Sequence, residues 1–406
     1  MHTVAILVFT PANVISACAA IATKNPGRPV RCIAVICRFP GQRDVDAVEL
    51  IETNRAVLKC FPYIDRIVTM SDEDLANDIA LGETPFITKI SASLGSSVDE
   101  IYYTHDVVGI IYQSVCLANP KAERTLYGDG FGWICHRDDS LPAATQPANS
   151  KPGWLNRIKN LTFAAKAASI HVWSWEYVRE LIFVPDCLSV AIPIEKSDRL
   201  TKIAPLLIVT RSTALDILNK VSSELGLLDM ESHLLSQIGD RKCLLLVMSN
   251  WSEADMATAE GEIDIYMEML RPHLTDNCVV LAKAHPGCAD IAWRFQKLAG
   301  LLEDKAELLI FPAKLKRFPL ELFGELLRRC TIVAHSSVLF SARYFYGGNA
   351  VSSLTHQIIT RYLKPEYHDL TREDLDMDAG FVEAIRRWNG KDVIISAKPT
   401  LESKTR

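Results

Sequence analysis

Short apolar runs, each followed by a helix-like segment, are the feature that most constrains how this 406-residue chain can fold. Each run has the length of a buried β-strand and ends at a turn or at polar residues. The runs are Val4–Phe9, Val30–Cys37, Ile64–Met70, Asp99–Tyr103, Leu206–Thr210, Leu244–Met248, Val279–Ala282, Leu308–Phe311 and Thr331–His335. Strands that alternate with helices form βαβ units, and such units build parallel sheets. The sequence therefore predicts an α/β fold.

The length of the chain indicates two domains, because it exceeds the usual size of one. A charged segment at 194–203 lies between two groups of predicted strands and is interpreted as a linker. We predict two Rossmann-like domains, residues 1–195 and 203–370, that face each other across a cleft, where ligands usually bind. Residues 371–406 are predicted to pack back on the first domain.

Composition excludes several classes of protein. The net charge of -5 and the pI of about 6.1 argue against a general nucleic-acid-binding protein. The 11 cysteines include no C-x-x-C pair, so no zinc or redox motif is indicated, and their scatter fits a reducing compartment. No basic segment precedes the apolar N-terminal run, and no apolar run is long enough to span a bilayer. We expect a cytoplasmic protein.

Residues 151–166 have the pattern of a basic amphipathic helix. Apolar residues recur at helical spacing, and lysine and arginine residues lie between them. These residues are Trp154, Leu155, Ile158 and Leu161, with Lys151, Arg157, Lys159 and Lys166. Such a helix can bind the anionic surface of the inner membrane peripherally. The alternative is an ordinary surface helix that packs on the protein's own core.

Polar residues that suit a phosphate follow the predicted strand Val279–Ala282. Lys283, His285 and Pro286 come directly after it. Ligands of open α/β sheets bind at the carboxyl ends of strands, and a cation beside a titratable imidazole suits a phosphate or a leaving group. The alternative is a capped strand end with a surface histidine.

Further polar residues stand at other strand ends and helix starts. Ser336 and Ser337 open a predicted helix, whose free N–H groups and hydroxyls can hold a phosphate. Glu321 follows Pro319 at a predicted helix start, which by itself explains an acid at this position. The other candidates are Arg211, Ser212 and Asn250, with Ser212 or Thr213 as the cap of the next helix. Together, His285, Glu321 and the Ser336–Ser337 pair predict a nucleotide-sugar site, with the serines on phosphate, His285 at the leaving oxygen and Glu321 on ribose.

A glycine-rich turn at Tyr127–Gly130 follows another predicted strand. Gly128 and Gly130 let a ligand approach the backbone closely, and Asp129 between them can act as a general base or bind sugar hydroxyls. The alternative is a plain Asp-Gly turn that joins two strands.

These motifs, in this order, resemble those of the bacterial sialyltransferases and polysialyltransferases of GT-B fold. That family carries an acidic-acidic-Gly motif, a His-Pro motif, a Pro-and-Glu element and a Ser-Ser or Ser-Thr motif. The matching residues are Gly128-Asp129-Gly130, His285-Pro286, Pro319-Leu320-Glu321 and Ser336-Ser337, and the resemblance spans about Leu126 to Phe340. One position departs from the pattern, because Gly128 replaces the first acid.

The resemblance implies an inverting glycosyltransferase that takes sialic acid from CMP-sialic acid, without a metal or other cofactor. It implies that Asp129 is the base on the hydroxyl of a glycan or glycolipid acceptor, and that His285 serves the leaving CMP phosphate. The implied donor-side residues are Lys283, Pro286, Glu321, Ser336, Ser337, Arg211, Ser212 and Asn250, and the implied acceptor-side residues are Tyr127, Gly128 and Gly130.

Two alternatives remain open at the level of the sequence. One is a transferase that uses another activated sugar, such as CMP-Kdo. The other is a non-catalytic or epimerase-like protein that binds a sugar nucleotide. The absence of G-x-G-x-x-G counts against a dinucleotide enzyme. The sequence does not determine the acceptor, the linkage or whether one residue or many are added.

Overall fold

Two parallel β-sheets with helices between their strands organise the chain in the computed structural model. It describes residues 1–38, 44–104, 110–128, 130–131, 178, 183–192, 194–195, 204–288, 291–303, 305–387 and 395–396. The chain divides into two units, Met1–Ala191 with Ser197–Ala214, and Ile192–Lys196 with Leu215–Arg406. Each unit contains its own sheet, so the predicted α/β fold with two Rossmann-like sheets is confirmed.

The first unit is built on a seven-stranded sheet of order β3-β2-β1-β4-β5-β6-β8. Its strands are β1 (His2–Val8), β2 (Val30–Arg38), β3 (Ile64–Ser71), β4 (Glu100–Thr104), β5 (Glu123–Tyr127), β6 (Cys187–Val190) and β8 (Leu206–Ile208). Its helices are α1 (Pro11–Lys24), α2 (Asp44–Lys59), α3 (Asp72–Ile79), α4 (Glu83–Leu94) and α5 (Ile110–Ala118). Every pairing in this sheet is parallel. β4 is buried throughout, as expected of a parallel strand covered on both faces.

The turn between β1 and α1 shows why the first helix begins where it does. Thr10 is the N-cap, and its hydroxyl accepts a hydrogen bond from the N–H of Asn13 at 3.3 Å. The Asn13 side chain in return accepts the N–H groups of Phe9 at 3.0 Å and Thr10 at 2.9 Å. This reciprocal capping box, with Pro11 at the first helical position, starts the helix at Pro11.

The predicted strand Leu206–Thr210 belongs to the first sheet, although the sequence analysis placed it in the second domain. β8 pairs in parallel with β6, and the N–H of Val209 donates to the carbonyl of Val190 at 2.8 Å. The local pattern identified a strand correctly, but its partner depends on residues distant in the chain.

The helix after β8 begins at Arg211 and is capped by Thr210. This helix, α6 (Arg211–Glu224), has the Thr210 hydroxyl accepting the N–H of Thr213 at 3.1 Å. The predicted cap, Ser212 or Thr213, was therefore wrong, since Thr210 satisfies the first turn.

The second unit is built on a five-stranded parallel sheet of order β11-β10-β9-β12-β13. Its strands are β9 (Cys243–Val247), β10 (Cys278–Lys283), β11 (Ala306–Ile310), β12 (Thr331–Val333) and β13 (Asn349–Val351). Its further helices are α7 (Leu227–Ile238), α8 (Ala259–Leu270), α9 (Ile291–Leu302), α10 (Gly324–Arg329), α11 (Val338–Tyr346), α12 (His356–Tyr362) and α13 (His368–Arg387). Short 3-10 turns lie at Arg271–His273, Ala313–Leu315, Leu320–Leu322 and Pro365–Tyr367. β9 and β10 are almost wholly buried in its core.

The C-terminal helix packs within the second unit, where the sequence analysis predicted a segment that returns to the first domain. Phe381 of α13 makes an edge-to-face contact with Phe340 of α11, with ring centroids 5.9 Å apart. Beyond it, β14 (Ile395–Ser396) pairs in parallel with β7 (Ile194–Glu195) in the predicted linker. The apolar stripe of α13 explains this placement, since the helix buries it against its neighbours in the chain.

Two predictions bear on membranes. The basic segment 151–166 lies outside the described residues. Among the helices that the structure describes, none is long and apolar enough to cross a bilayer.

Candidate functional site

The carboxyl ends of three adjacent strands bring most of the predicted donor residues to one edge of the second sheet. β10, β9 and β12 are neighbours in that order, and the N–H of Met248 after β9 donates to the carbonyl of Lys283 at 3.0 Å. Asn250 follows β9, His285 and Pro286 follow β10, and Ser336 follows β12. Parallel strands direct their following loops to the same side, so the structure groups these residues as the sequence predicted.

His285 lies beside Asn250 in the turn after β10. The N–H of Gly287 donates to Nδ1 of His285 at 3.0 Å. A Cβ at Gly287 would lie 3.3 Å from that nitrogen and 3.5 Å from Nδ2 of Asn250, so His285 and Asn250 both lie close to this glycine. Since Nδ1 accepts a hydrogen bond, the neutral imidazole carries its proton on Nε2.

The protonation state of His285 is set by its surroundings. Burial lowers its pKa, the charge of Lys283 lowers it further, and the carboxylates of Glu253 and Glu262 act in the opposite direction. His285 is therefore a neutral donor at neutral pH, and its Nε2–H can bond to an oxygen of a ligand.

Lys283 ends β10 and is only 5% exposed. Its Nζ donates to the carbonyl of Lys316 at 2.8 Å and lies 5.8 Å from the centre of the Phe311 ring. Burial lowers its pKa to about 8, and the nearby Glu321 carboxylate opposes that shift. At pH 7 the ammonium is mostly protonated, so Lys283 contributes a buried positive charge behind the strand ends.

Glu321 lies in the 3-10 turn Leu320–Leu322, just before the short helix α10. Its Oε1 accepts the hydroxyl of Ser341 at 2.5 Å, and its backbone carbonyl accepts the hydroxyl of Tyr346 at 2.5 Å. Both partners lie on α11, so the helix that begins at Val338 holds Glu321 in place. Ser341 was not among the predicted site residues, because a buried serine within an apolar helix carries no local signal.

Ser336 and Ser337 stand at the start of α11, as predicted. Ser337 is the N-cap residue and makes no side-chain cap bond, and the Ser336 hydroxyl lies 3.5 Å from the N–H of Val338. The helix has nine residues. The N–H groups of Leu339 and Phe340 already donate to the carbonyls of Ser336 and Ser337 at 3.1 and 3.0 Å. The groups at this helix start that suit an anion are therefore the two hydroxyls and the N–H of Val338.

His335, which precedes this pair, is a residue to which the sequence analysis gave no role. Its Nδ1 lies 3.6 Å from Oδ2 of Asp378, and its ring centre lies 6.2 Å from that of Trp251. Burial lowers its pKa, and the charge of Asp374 opposes this. The imidazole therefore lies between the β12 end and α13, and its Nδ1 is buried with no hydrogen-bond partner among the described residues.

A pocket in the first unit contains the predicted acceptor-side residues. Tyr127, Gly128 and Gly130 line it, together with Ser16, Phe131, Ser189, Val190, Ala191 and Val209. The space between these residues is about 270 Å³ when open solvent is counted, and the cavity itself is about 10 Å³, the size of a single water site. The Tyr127 hydroxyl donates to the carbonyl of Leu7 at 2.5 Å, so this side chain is part of the buried core of the first unit. Asp129 lies outside the described residues.

Ser16 is the pocket residue that sequence reasoning missed. It lies on α1, is 7% exposed, and its Oγ has no hydrogen-bond partner among the described residues. Since buried hydroxyls are normally bonded, this atom is a candidate contact for a ligand. Gly130 borders the same space, and a Cβ there would meet nothing within 4 Å.

Arg211 and Ser212 do not join the other predicted donor residues in the second unit. They open α6 at the end of the first unit and are exposed. The hydroxyl of Ser212 lies 3.0 Å from that of Thr210.

One group of side chains has the composition of a metal site. Atoms of Glu253, Glu262 and Cys288 lie within 4.8 Å of one another. Arg294 already pairs with both acids, with Nη2 2.7 Å from Glu253 and Nε 3.4 Å from Glu262. The guanidinium thus supplies the positive charge that a cation would bring.

No protein-family model and no curated protein matches the chain. Similar solved structures include UDP-GlcNAc 2-epimerase from Methanocaldococcus jannaschii, with 13% identity and a TM-score of 0.46 over 96% of this chain and 94% of that one. The GT-B domain of a sialyltransferase from Photobacterium damselae has 11% identity and a TM-score of 0.46 over 94% and 97%. ADP-heptose LPS heptosyltransferase II from E. coli has 10% identity and a TM-score of 0.35 over 93% and 100%. These three proteins have different activities, and similarity at this level assigns none of them to this chain.

Proposed function

We propose that this chain is an inverting glycosyltransferase that transfers sialic acid from CMP-sialic acid to a hydroxyl of a glycan acceptor. The observation that carries the proposal is that Asn250, His285 and the Ser336–Ser337 pair follow three adjacent strands, with Asn250 and His285 close together at Gly287. These groups are a neutral imidazole donor, an amide and a helix N-terminus with hydroxyls, which together suit a departing phosphate.

The donor phosphate binds at the start of α11 in this proposal. The N–H groups and hydroxyls of Ser336 and Ser337 contact its oxygens. As the bond between the sugar and the phosphate breaks, its electron pair stays on CMP, and the phosphate gains negative charge. His285 donates Nε2–H to the oxygen that bears this charge, and the buried ammonium of Lys283 stabilises it from behind.

The acceptor is activated by Asp129, the role implied by the resemblance. Its carboxylate takes the proton of the acceptor hydroxyl as that oxygen attacks the anomeric carbon from the side opposite the phosphate, which inverts the centre. Gly128 and Gly130 on either side line the pocket of the first unit. The Ser16 hydroxyl in that pocket supports binding of a hydroxyl-rich ligand there.

A panel of nucleotides tests the proposed donor directly. CMP is expected to raise the melting temperature, because a ligand at about 100 times its Kd stabilises the folded state by about 2.7 kcal/mol. UDP, ADP and NAD should have little effect at the same concentration. Stabilisation by UDP but not by CMP would contradict the proposal. If CMP stabilises the protein, a transfer assay that compares CMP-sialic acid with CMP-Kdo separates the two CMP-sugar donors.

Removal of the two hydroxyls at the start of α11 is expected to weaken CMP binding. In the Ser336→Ala/Ser337→Ala protein, two side-chain contacts to phosphate disappear, at about 1 kcal/mol or more each, so Kd should rise roughly 10- to 100-fold. Titration calorimetry measures this. The matched control is Ser232→Ala/Ser236→Ala on α7, where both hydroxyls are exposed and bond only to helix carbonyls. Equal CMP affinity in the two folded double variants would remove the serine pair from the site.

A further inference from the structure

A buried ionic cluster lies directly behind the loop that carries Asn250. Arg294 on α9 is 3% exposed and Glu262 on α8 is fully buried. The Arg294 Nη2 donates to Glu253 at 2.7 Å and to the hydroxyl of Ser252 at 2.6 Å. Its Nε lies 3.4 Å from Oε1 of Glu262. One guanidinium therefore connects a core helix to two residues of the loop.

The same cluster holds the loop on both sides of Asn250. The N–H of Ser252 donates to Oε2 of Glu262 at 2.8 Å, and the N–H of Ser249 donates to the Tyr266 hydroxyl at 3.0 Å. That hydroxyl lies 2.6 Å from Oε1 of Glu262. Two backbone groups that flank the candidate ligand contact are thus bonded to buried side chains of α8, so the loop has little freedom to shift.

A thiol joins this loop to the His285 turn. The Sγ of Cys288 donates to the carbonyl of Ser249 at 3.2 Å, and the N–H of Cys288 donates to the carbonyl of His285 at 3.0 Å. Cys288 therefore connects the two backbones, so a displacement at Ser249 would also displace the His285 turn.

A purely structural role does not explain these charges well. Well-packed apolar side chains are often as stabilising as a buried ion pair, and Met248 and Trp251 beside this loop belong to the same buried apolar cluster as Tyr266. Buried and hydrogen-bonded charges can instead fix the orientation of the loop. A site in which two donors must bond to one oxygen requires such a fixed orientation.

We propose that Arg294, Glu262 and Tyr266 are positioning residues, which hold the Ser249–Ser252 segment so that Asn250 and His285 face the same ligand oxygen. The inference rests on the proposed function for the identity of that ligand. The positioning itself concerns only contacts within the second unit.

The test compares two variants that each remove one buried tyrosine hydroxyl bonded to a glutamate. Tyr266→Phe removes the bond at the loop. Tyr102→Phe removes the bond of Tyr102 to Glu100, also 2.6 Å long, in the first unit. We expect similar losses of melting temperature in both, but a rise in the Kd for CMP on the order of ten-fold only in Tyr266→Phe. Equal CMP affinity in the two variants would overturn the inference.

Amide hydrogen exchange on the same proteins separates failure of the inference from failure of the proposed function. Tyr266→Phe should speed exchange at 249–253 and also at 285–288, which Cys288 joins to the loop at the Ser249 carbonyl, whereas Tyr102→Phe should leave both segments protected. A wild-type protein that does not bind CMP overturns the proposed function alone. Unchanged exchange at 285–288 in Tyr266→Phe overturns the positioning, whatever the ligand.

The Arg294→Lys variant tests whether CMP binding depends on the planar shape of the guanidinium or only on its positive charge. Lysine keeps the positive charge beside Glu262, so the fold should persist, but one ammonium cannot reproduce the planar contacts to Ser252, Glu253 and Glu262. We expect weakened CMP binding similar to that of Tyr266→Phe. Wild-type affinity in Arg294→Lys would overturn the role assigned to the guanidinium.

Discussion

Asp129→Asn is expected to lower kcat by roughly 10²–10⁴-fold, the usual contribution of general base catalysis. Asparagine has nearly the same shape and still accepts hydrogen bonds, but it cannot take the proton of the acceptor hydroxyl. The affinity for CMP should hardly change, because the residues proposed to bind the donor phosphate lie in the second unit. The measurements are the transfer rate with CMP-sialic acid and the Kd for CMP.

Two controls make the Asp129 result interpretable. A melting curve shows whether the variant is folded. Asp276→Asn, at an exposed loop position of the second unit, makes the same chemical change away from the site and should keep wild-type turnover. If folded Asp129→Asn transfers sialic acid within a few-fold of wild type, the turn at Gly128–Gly130 is structural and another group must be the base.

Lys283→Met is expected to stabilise the protein at pH 7 while weakening CMP binding. Burial lowers the pKa of Lys283 from 10.5 to about 8, and this difference corresponds to about 3 kcal/mol of unfavourable charge burial. Methionine removes that cost but also the bond to Lys316, worth about 1 kcal/mol. The free energy of unfolding should therefore rise by about 1–2 kcal/mol. The loss of a positive charge behind the phosphate should raise the Kd for CMP.

The pH dependence provides a sharper test of the Lys283 assignment. Between about pH 8 and 10.5 the unfolded chain binds a proton that the folded protein has released, so the stability of wild type rises with pH in that window. Methionine does not titrate. The advantage of Lys283→Met should thus be largest below pH 8 and shrink above it. Denaturant unfolding at several pH values measures the difference.

Lys24 provides the matched control for Lys283. Its Nζ lies 2.7 Å from Glu123 and 3.6 Å from the buried Glu100, so it is a paired lysine. Lys24→Met should destabilise the protein, because Glu100 would lose a partner. An equal gain in stability for both methionine variants would show that Lys283 carries no special burial cost.

The sequence alone located most of the strands and the polar residues at their ends, although it gave no sign of β13, Asn349–Val351. The run predicted at Val279–Ala282 is β10, Cys278–Lys283, because a strand buried on both faces reads as one continuous apolar segment. Parallel strands place their carboxyl ends on one edge, so Asn250, His285 and Ser336 could be assigned to a common site without coordinates.

Only the tertiary structure decided which sheet β8 joins and how the site groups are held. Leu206 pairs with Leu188, Lys283 bonds to Lys316, and Arg294 reaches Glu253. These contacts join residues distant in the chain, and nothing in the local pattern selects one partner over another. The buried state of Lys283 and the tautomer of His285 follow from such contacts. Residue type and spacing therefore located the chemistry, whereas long-range packing set the charge, protonation and orientation of the groups that are proposed to perform it.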